Sequence, residues 1–230
     1  MFAFDGGVLM MRCARVVSVV IVGSLMLAAR GQAQTPAGAS GDSSKFFGAF
    51  DVGATFGHKS SGSYGGEFGM RLAREFGVSV EGGHMANVGT EELDQRAQSI
   101  ANAVGATSSA SYKVNFFDVA ARYAPQMGWK AQTYVLFGVG LAAVRAETVL
   151  SVNGNAVPPE SLGVQFGNDL NGTVNKTLLV FGGGAMYPIH PRIFLDGSFR
   201  YGHILANTGE IEGDTGINTL RAQIGIGLTF

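Results

Sequence analysis

The sequence predicts an all-β protein: an eight-stranded antiparallel up-and-down transmembrane β-barrel. Three observations predict it. Apolar residues recur with period two through most of the chain, the links between alternating segments are short at one end and long at the other, and charge is scarce. Of 230 residues, 35 are glycine, 10% are aromatic and only 14% are charged, against about 25% charged in an average soluble domain.

The N-terminus accounts for part of the apolar bias. In "MRCARVVSVVIVGSLMLAARGQAQ", Arg12 and Arg15 precede an apolar run from Val16 to Ala29. Small residues then follow at the spacing a signal peptidase requires, so residues 1–33 read as a signal peptide cleaved after Ala33. Fourteen apolar residues are too few for a spanning helix, which needs about 20. The preceding "MFAFDGGVL" carries Asp5 and no base, so the expected start is Met10 or Met11. Cleavage would remove Cys13, the sole cysteine, and with it any disulfide framework or thiolate chemistry. It would also remove three arginines and Asp5 from a chain of net charge −1, leaving −3. No basic face remains for nucleic acid. Residues 34–44, small and polar, read as a flexible linker, and residues 45–230 as the barrel.

Eight segments alternate: about 45–57, 63–74, 77–87, 110–124, 131–145, 175–188, 192–204 and 218–230. In the first, Phe46, Phe50, Val52, Ala54 and Phe56 oppose Asp51, Gly53 and Thr55. In the seventh, Leu195, Phe199 and Tyr201 oppose Asp196, Ser198 and Arg200. A soluble barrel would turn the apolar stripe inward, and a membrane barrel turns it outward. The polar stripe decides between them, because it is rich in glycine and its charges balance. Asp51, Glu67, Glu81, Asp118 and Asp196 face Arg71, Arg122, Lys176, Arg200 and Arg221. Enclosed charges must pair to survive desolvation, whereas a solvated face has no such need. These ten residues are therefore expected to form an interior charge network.

Aromatics fall at segment ends, as membrane-interface girdles do. Phe46, Phe76, Tyr123, Trp129, Tyr187 and Phe230 gather at the short-turn end, and Tyr64, Tyr112 and Tyr201 toward the long-loop end. The chain stops on "RAQIGIGLTF". Its last residue, Phe230, tolerates exposure because its neighbour is lipid and its strand closes against the first.

The signal peptide, the eight alternating segments, "YVLFGVGLA" (Tyr134 to Ala142), "VFGGGAMYPIHPRIFLDGSFRY" (Val180 to Tyr201) and the terminal "IGIGLTF" resemble the small Gram-negative outer-membrane β-barrels of the OmpA/OmpX-like superfamily. The resemblance covers 45–230 and implies an outer-membrane location, contact with outer-membrane lipids and lipopolysaccharide, and no cofactor. It implies further that Phe230 is read by the barrel-assembly machinery. An OmpA-type peptidoglycan-binding domain is not expected, since the chain ends with the barrel.

Function is less legible. Eight strands enclose a lumen just wide enough for side chains, so a general diffusion pore is not expected. The leading expectation is a structural or interaction barrel whose outward loops meet an extracellular partner. A narrow channel or a small-ligand-binding barrel is the alternative. The outward loops hold Glu91, Glu92, Asp94, Glu147, Glu160, Asp169, Glu210, Glu212 and Asp214 against Lys59, Arg96 and Arg145. That is a solvated acidic surface by default, with bridging by divalent cations as the alternative. In the second loop, Thr90 as N-cap, acids in the next turn and Gly105 predict a short helix, either packed on the rim or serving as a lid. A lipid A-modifying hydrolase would need one of His58, His84 or His203 beside a serine and a carboxylate on the lipid face. Gly138-Val139-Gly140 and Gly182-Gly183-Gly184 precede no helix and read as strand glycines rather than phosphate loops.

Overall fold

The computed structural model describes residues 45–167, 170–206 and 216–230. The expected signal peptide and linker, and Asp169, Glu210, Glu212 and Asp214, lie outside the described residues. Eight strands close a barrel: β1 (Phe46–Phe56), β2 (Ser61–Arg71), β3 (Phe76–Met85), β4 (Thr107–Tyr123), β5 (Gln132–Val152), β7 (Gly172–His190), β8 (Ile193–Ile204) and β9 (Ile217–Thr229). A short β6 (Asn155–Val157) folds back on β5. Every neighbour is antiparallel, and β1 pairs with β9, so the wall is continuous. Beyond β9, Phe46 and Phe230 exchange both backbone hydrogen bonds at 3.0 Å, and the terminal residue is held rather than frayed.

The apolar stripes point outward. Phe50, Phe117, Phe137, Phe181, Phe199, Ile224 and Leu228 are all exposed on the wall. Asp51, Glu67, Glu81, Asp118, Asp196, Arg200 and Arg221 are buried within it. Such a wall is stable only where hydrocarbon is the solvent.

Three strands outrun a single crossing. β4, β5 and β7 have 17, 21 and 19 residues, against about 9–11 for one span. Their patterning inverts along the way. In β4, Phe117, Val119 and Ala121 face out and Asp118 and Arg122 face in. Further along, Lys113 and Asn115 face out while Tyr112 and Val114 are buried. In β5, Leu141 is outward, but beyond it Arg145 and Glu147 take that face and Val144, Ala146 and Leu150 are buried. Apolar-out below and apolar-in above means that the strands leave hydrocarbon and enter water at this level. Both ends of the expected 146–174 loop, as far as Val152 and from Gly172 on, are therefore strand. Asn153 (φ 51°) and Gly154 (φ 81°) make the left-handed pair that turns β5 into β6.

The upper lumen is correspondingly apolar. Met85, Tyr112, Val114, Leu178, Ile204 and Ile217 fill it, and Leu170 from the β6–β7 connection joins them. Tyr112 thus lies inside, correcting its expected place among the interface aromatics; it stands on the inward parity above the inversion. Helix α1 (Glu91–Ala103) packs Ala97 into the same cluster. Thr90 caps α1 by accepting from the Leu93 amide at 3.4 Å, and Gly105 (φ 68°) follows its end.

Candidate functional site

The lower lumen gathers side chains from five strands into one chain of ion pairs. Arg122 meets Glu67 at 3.2 Å, Arg200 meets Glu67 at 2.6 Å and also Glu81, and Arg221 meets Glu81 at 2.9 Å. Two glutamates thus bridge three arginines on β4, β8 and β9. Aromatic rings line the rest. The Arg122 guanidinium lies 3.4 Å from the Tyr134 ring centre and Arg221 4.3 Å from that of Phe116. The Tyr134 hydroxyl donates to Asp196 at 2.8 Å. Inward glycines make room for such rings: a Cβ on Gly227 would fall 2.7 Å from Phe194 Cε1.

Not every expected member belongs here. Arg71, the last residue of β2, is exposed at the short-turn rim and only reaches Gln132 at 3.5 Å. Without it, the buried lumen holds five acids and four bases among the described residues, so the expected even balance fails. Asp51 and Asp118 are buried, and none of their carboxylate oxygens has a hydrogen-bond partner among the described residues. Lys176 is buried on β7, inward above the ion-pair chain.

The seven aromatics expected at the interfaces, Phe46, Tyr64, Tyr123, Trp129, Tyr187, Tyr201 and Phe230, are all exposed. Phe230 stacks on Phe46 at 6.2 Å and lies 6.1 Å from Phe68, and Tyr123 lies 4.9 Å from Phe76.

Above the band, Asp94 on α1 is held by Lys59 at 2.7 Å and His58 at 3.2 Å. Glu147 is held by Lys113 at 2.8 Å and Arg145 at 2.9 Å. The hydrogen bond from Lys113, then the charges of Lys113 and Arg145, hold the Glu147 carboxyl below the ordinary glutamate range. Two of the loop acids are therefore spent on basic partners. Among the described residues, no three His, Cys, Asp or Glu side chains converge as a metal site would require. The other two candidate histidines are each held by an amide: His84 Nδ1 to Asn115 at 2.7 Å, and His203 Nδ1 to Asn218 at 2.6 Å. Among the described residues, none of the three candidate histidines, His58, His84 and His203, is hydrogen-bonded to a serine.

Comparison with known proteins settles the class. Residues 16–230 match the family of the outer membrane protein beta-barrel domain. The chain belongs to this family. It is accordingly an outer-membrane β-barrel protein. No curated protein matches the sequence significantly. Among solved structures, Neisserial surface protein A superposes with a TM-score of 0.50 at 15% identity, covering 82% of this chain and 98% of that one. The barrel OprG from Pseudomonas aeruginosa gives 0.47 at 11% identity, covering 81% and 96%. The attachment invasion locus protein of Yersinia pestis gives 0.43 at 12%, covering 81% and 97%. At such identities the likeness to the Neisserial protein speaks for the fold. In the outer-membrane barrel family, short turns lie on the periplasmic side and long extensions outside. That convention puts the links at 72–75, 124–131 and 191–192 in the periplasm, and α1 with the β4–β5 extension outside.

Sequence reasoning missed two features whose signals the sequence carries. The parity inversion is visible in "SYKVNFF", where Lys113 and Asn115 interrupt an otherwise outward apolar stripe. The β5–β6 hairpin was signalled by "NG" at Asn153-Gly154.

Proposed function

We propose that the protein is a structural and interaction barrel: non-enzymatic, not a general diffusion pore, and built to hold an outward-facing surface above the membrane. One observation carries the reading. The lumen is blocked twice in series, by the Glu67–Glu81–arginine network and by the apolar plug under α1. A diffusing solute would have to break buried ion pairs and then displace packed side chains, each at a cost of several kcal/mol. The upper lumen is apolar, as a ligand barrel's would be, but the protein's own side chains fill it: Val114, Leu170 and Ile204 are essentially inaccessible. What remains for recognition is the exterior, namely α1, the long β4–β5 extension and the loops, with lipopolysaccharide or another cell's surface as partner. Assembly through Phe230 by the barrel-assembly machinery rests on the family resemblance and on that residue's exposed place at the closing strand.

Planar-bilayer recording of the folded protein tests the reading. Blockage in series predicts no steady open level. Large, stable single-channel steps would overturn it and favour the channel alternative.

A further inference from the structure

The lipid-facing wall is not evenly studded. Outward positions on β1, β2 and β3 that line one depression include three glycines: Gly48, Gly66 and Gly82. Register makes them neighbours. Gly66 stands opposite Gly82 across β2–β3 and opposite Phe50 across β1–β2, while Gly48 stands opposite Phe68. The result is a depression of about 770 Å³ in the apolar band, floored by the glycines and walled by Phe50, Phe68, Phe117 and Phe230.

Directly above it, one alternation further along each strand, stands a polar row. Tyr64, His84 and Asn115 are register partners across β2, β3 and β4. The Tyr64 and His84 rings lie 5.4 Å apart, and His84 Nδ1 donates to the Asn115 amide oxygen at 2.7 Å. That bond leaves the Asn115 NH₂ group to donate away from the row. The barrel's stagger carries the glycine floor from this row at the upper interface down toward Leu228 and Phe230 near the lower belt.

A polar head contact at the interface, with an apolar channel descending from it through hydrocarbon, is the outline of an amphiphile. We propose that this face is a binding site for one acyl chain of an outer-leaflet membrane lipid, whose carbonyl or phosphate oxygen accepts from Asn115 and Tyr64. The hydrocarbon around the wall already consists of such chains. A groove among protruding phenyl rings orders one of them by contact along its length, where a smooth wall does not. The glycines are there for access rather than for backbone freedom. A Cβ at Gly48, Gly66 or Gly82 would find its nearest neighbour at 3.9, 3.6 or 3.8 Å, in ordinary contact. Larger side chains can therefore fill the groove without disturbing the wall.

The test uses the mature chain folded into phosphatidylethanolamine–phosphatidylglycerol vesicles carrying a trace of phosphatidylethanolamine with a diazirine on its acyl chain. After photolysis, labelled peptides are mapped by mass spectrometry. The expected label concentrates on β1–β3 and falls about tenfold in the double variant Gly66→Leu, Gly82→Leu. It survives in Ala185→Leu on β7, on another part of the wall, and is weakened in Asn115→Ala. Heat-modifiable gel migration verifies that each variant is folded. Label spread evenly around the wall, or unchanged by filling the groove, overturns the proposal. So does protein–protein cross-linking at this face that the double variant abolishes, since the occupant would then be a second copy. None of these outcomes bears on conductance, so this site and the blocked lumen stand or fall separately.

Discussion

At the residue scale, the decisive contrast is between Arg200 and Arg71. Both were assigned to the interior by strand parity. Arg200 sits between Glu67 and Glu81 with almost no exposure. Arg71 is the final residue of its strand, where parity no longer implies enclosure and a long side chain swings to water. Parity was enough to read the other nine charges because each lies within its strand with wall on both sides. It could not show which carboxylate each arginine would reach, because that depends on the stagger of the closed barrel. Arg200→Met would take from Glu67 and Glu81 one of the two arginines that each meets, leaving buried negative charge in excess, and a cost of about 3–5 kcal/mol is expected in equilibrium unfolding from lipid vesicles. Arg71→Met should change stability by no more than about 0.5 kcal/mol. Equal effects from the two would mean that the ion-pair chain is not what holds the lower lumen.

At the element scale, each strand is a record of its surroundings. Where hydrocarbon lies outside, apolar residues face out. Where β4 and β5 rise into water, the same alternation reverses phase, and Lys113, Arg145 and Glu147 replace Phe117, Val139 and Leu141 on the outer face. The alternation located all eight crossings. It ended β5 too early because the reversed stretch, rich in polar outward residues, resembles a loop when only one phase is allowed. The α1 helix was legible because its signals are local: Thr90, the acids after it and Gly105. The Lys113–Glu147–Arg145 tie fastens the extension. Glu147 has a lowered pKa when folded, so its contribution is fully present above the unfolded glutamate value and is lost as pH falls through the lowered one. Amide exchange protection around 111–114 and 145–148 should accordingly hold at about pH 5 and weaken only in stronger acid. Loss at about pH 5 would remove the tie from the account. Phe230 belongs to this scale as well. Its ring is exposed rather than buried, so Phe230→Ala should fold normally in detergent yet give less heat-modifiable protein in cells. An equal loss in both settings would make its role packing rather than assembly.

At the scale of the whole molecule, the barrel is an inside-out protein for one membrane thickness and an ordinary one above it. Closure of β1 on β9 removes every edge, the ion-pair chain fills the part of the lumen at membrane depth, and an apolar plug under α1 fills the part outside. Length, low charge and period-two alternation were enough to reach this architecture, since a closed wall leaves few other ways to bury nine charges. The plug was not reached, because it is assembled from residues distant in sequence, such as Leu170 and Ile217, that share no local pattern. Sidedness underlies all of this, and β8 is the place to measure it. With Cys13 the only cysteine in the sequence, single cysteines can be placed along Ile193–Ile204, spin-labelled and read for oxygen accessibility in lipid vesicles. High accessibility at Leu195, Phe199 and Tyr201, alternating with low values at Asp196, Ser198 and Arg200, is the predicted result. The opposite phase, with oxygen reaching Arg200 and not Phe199, would contradict it.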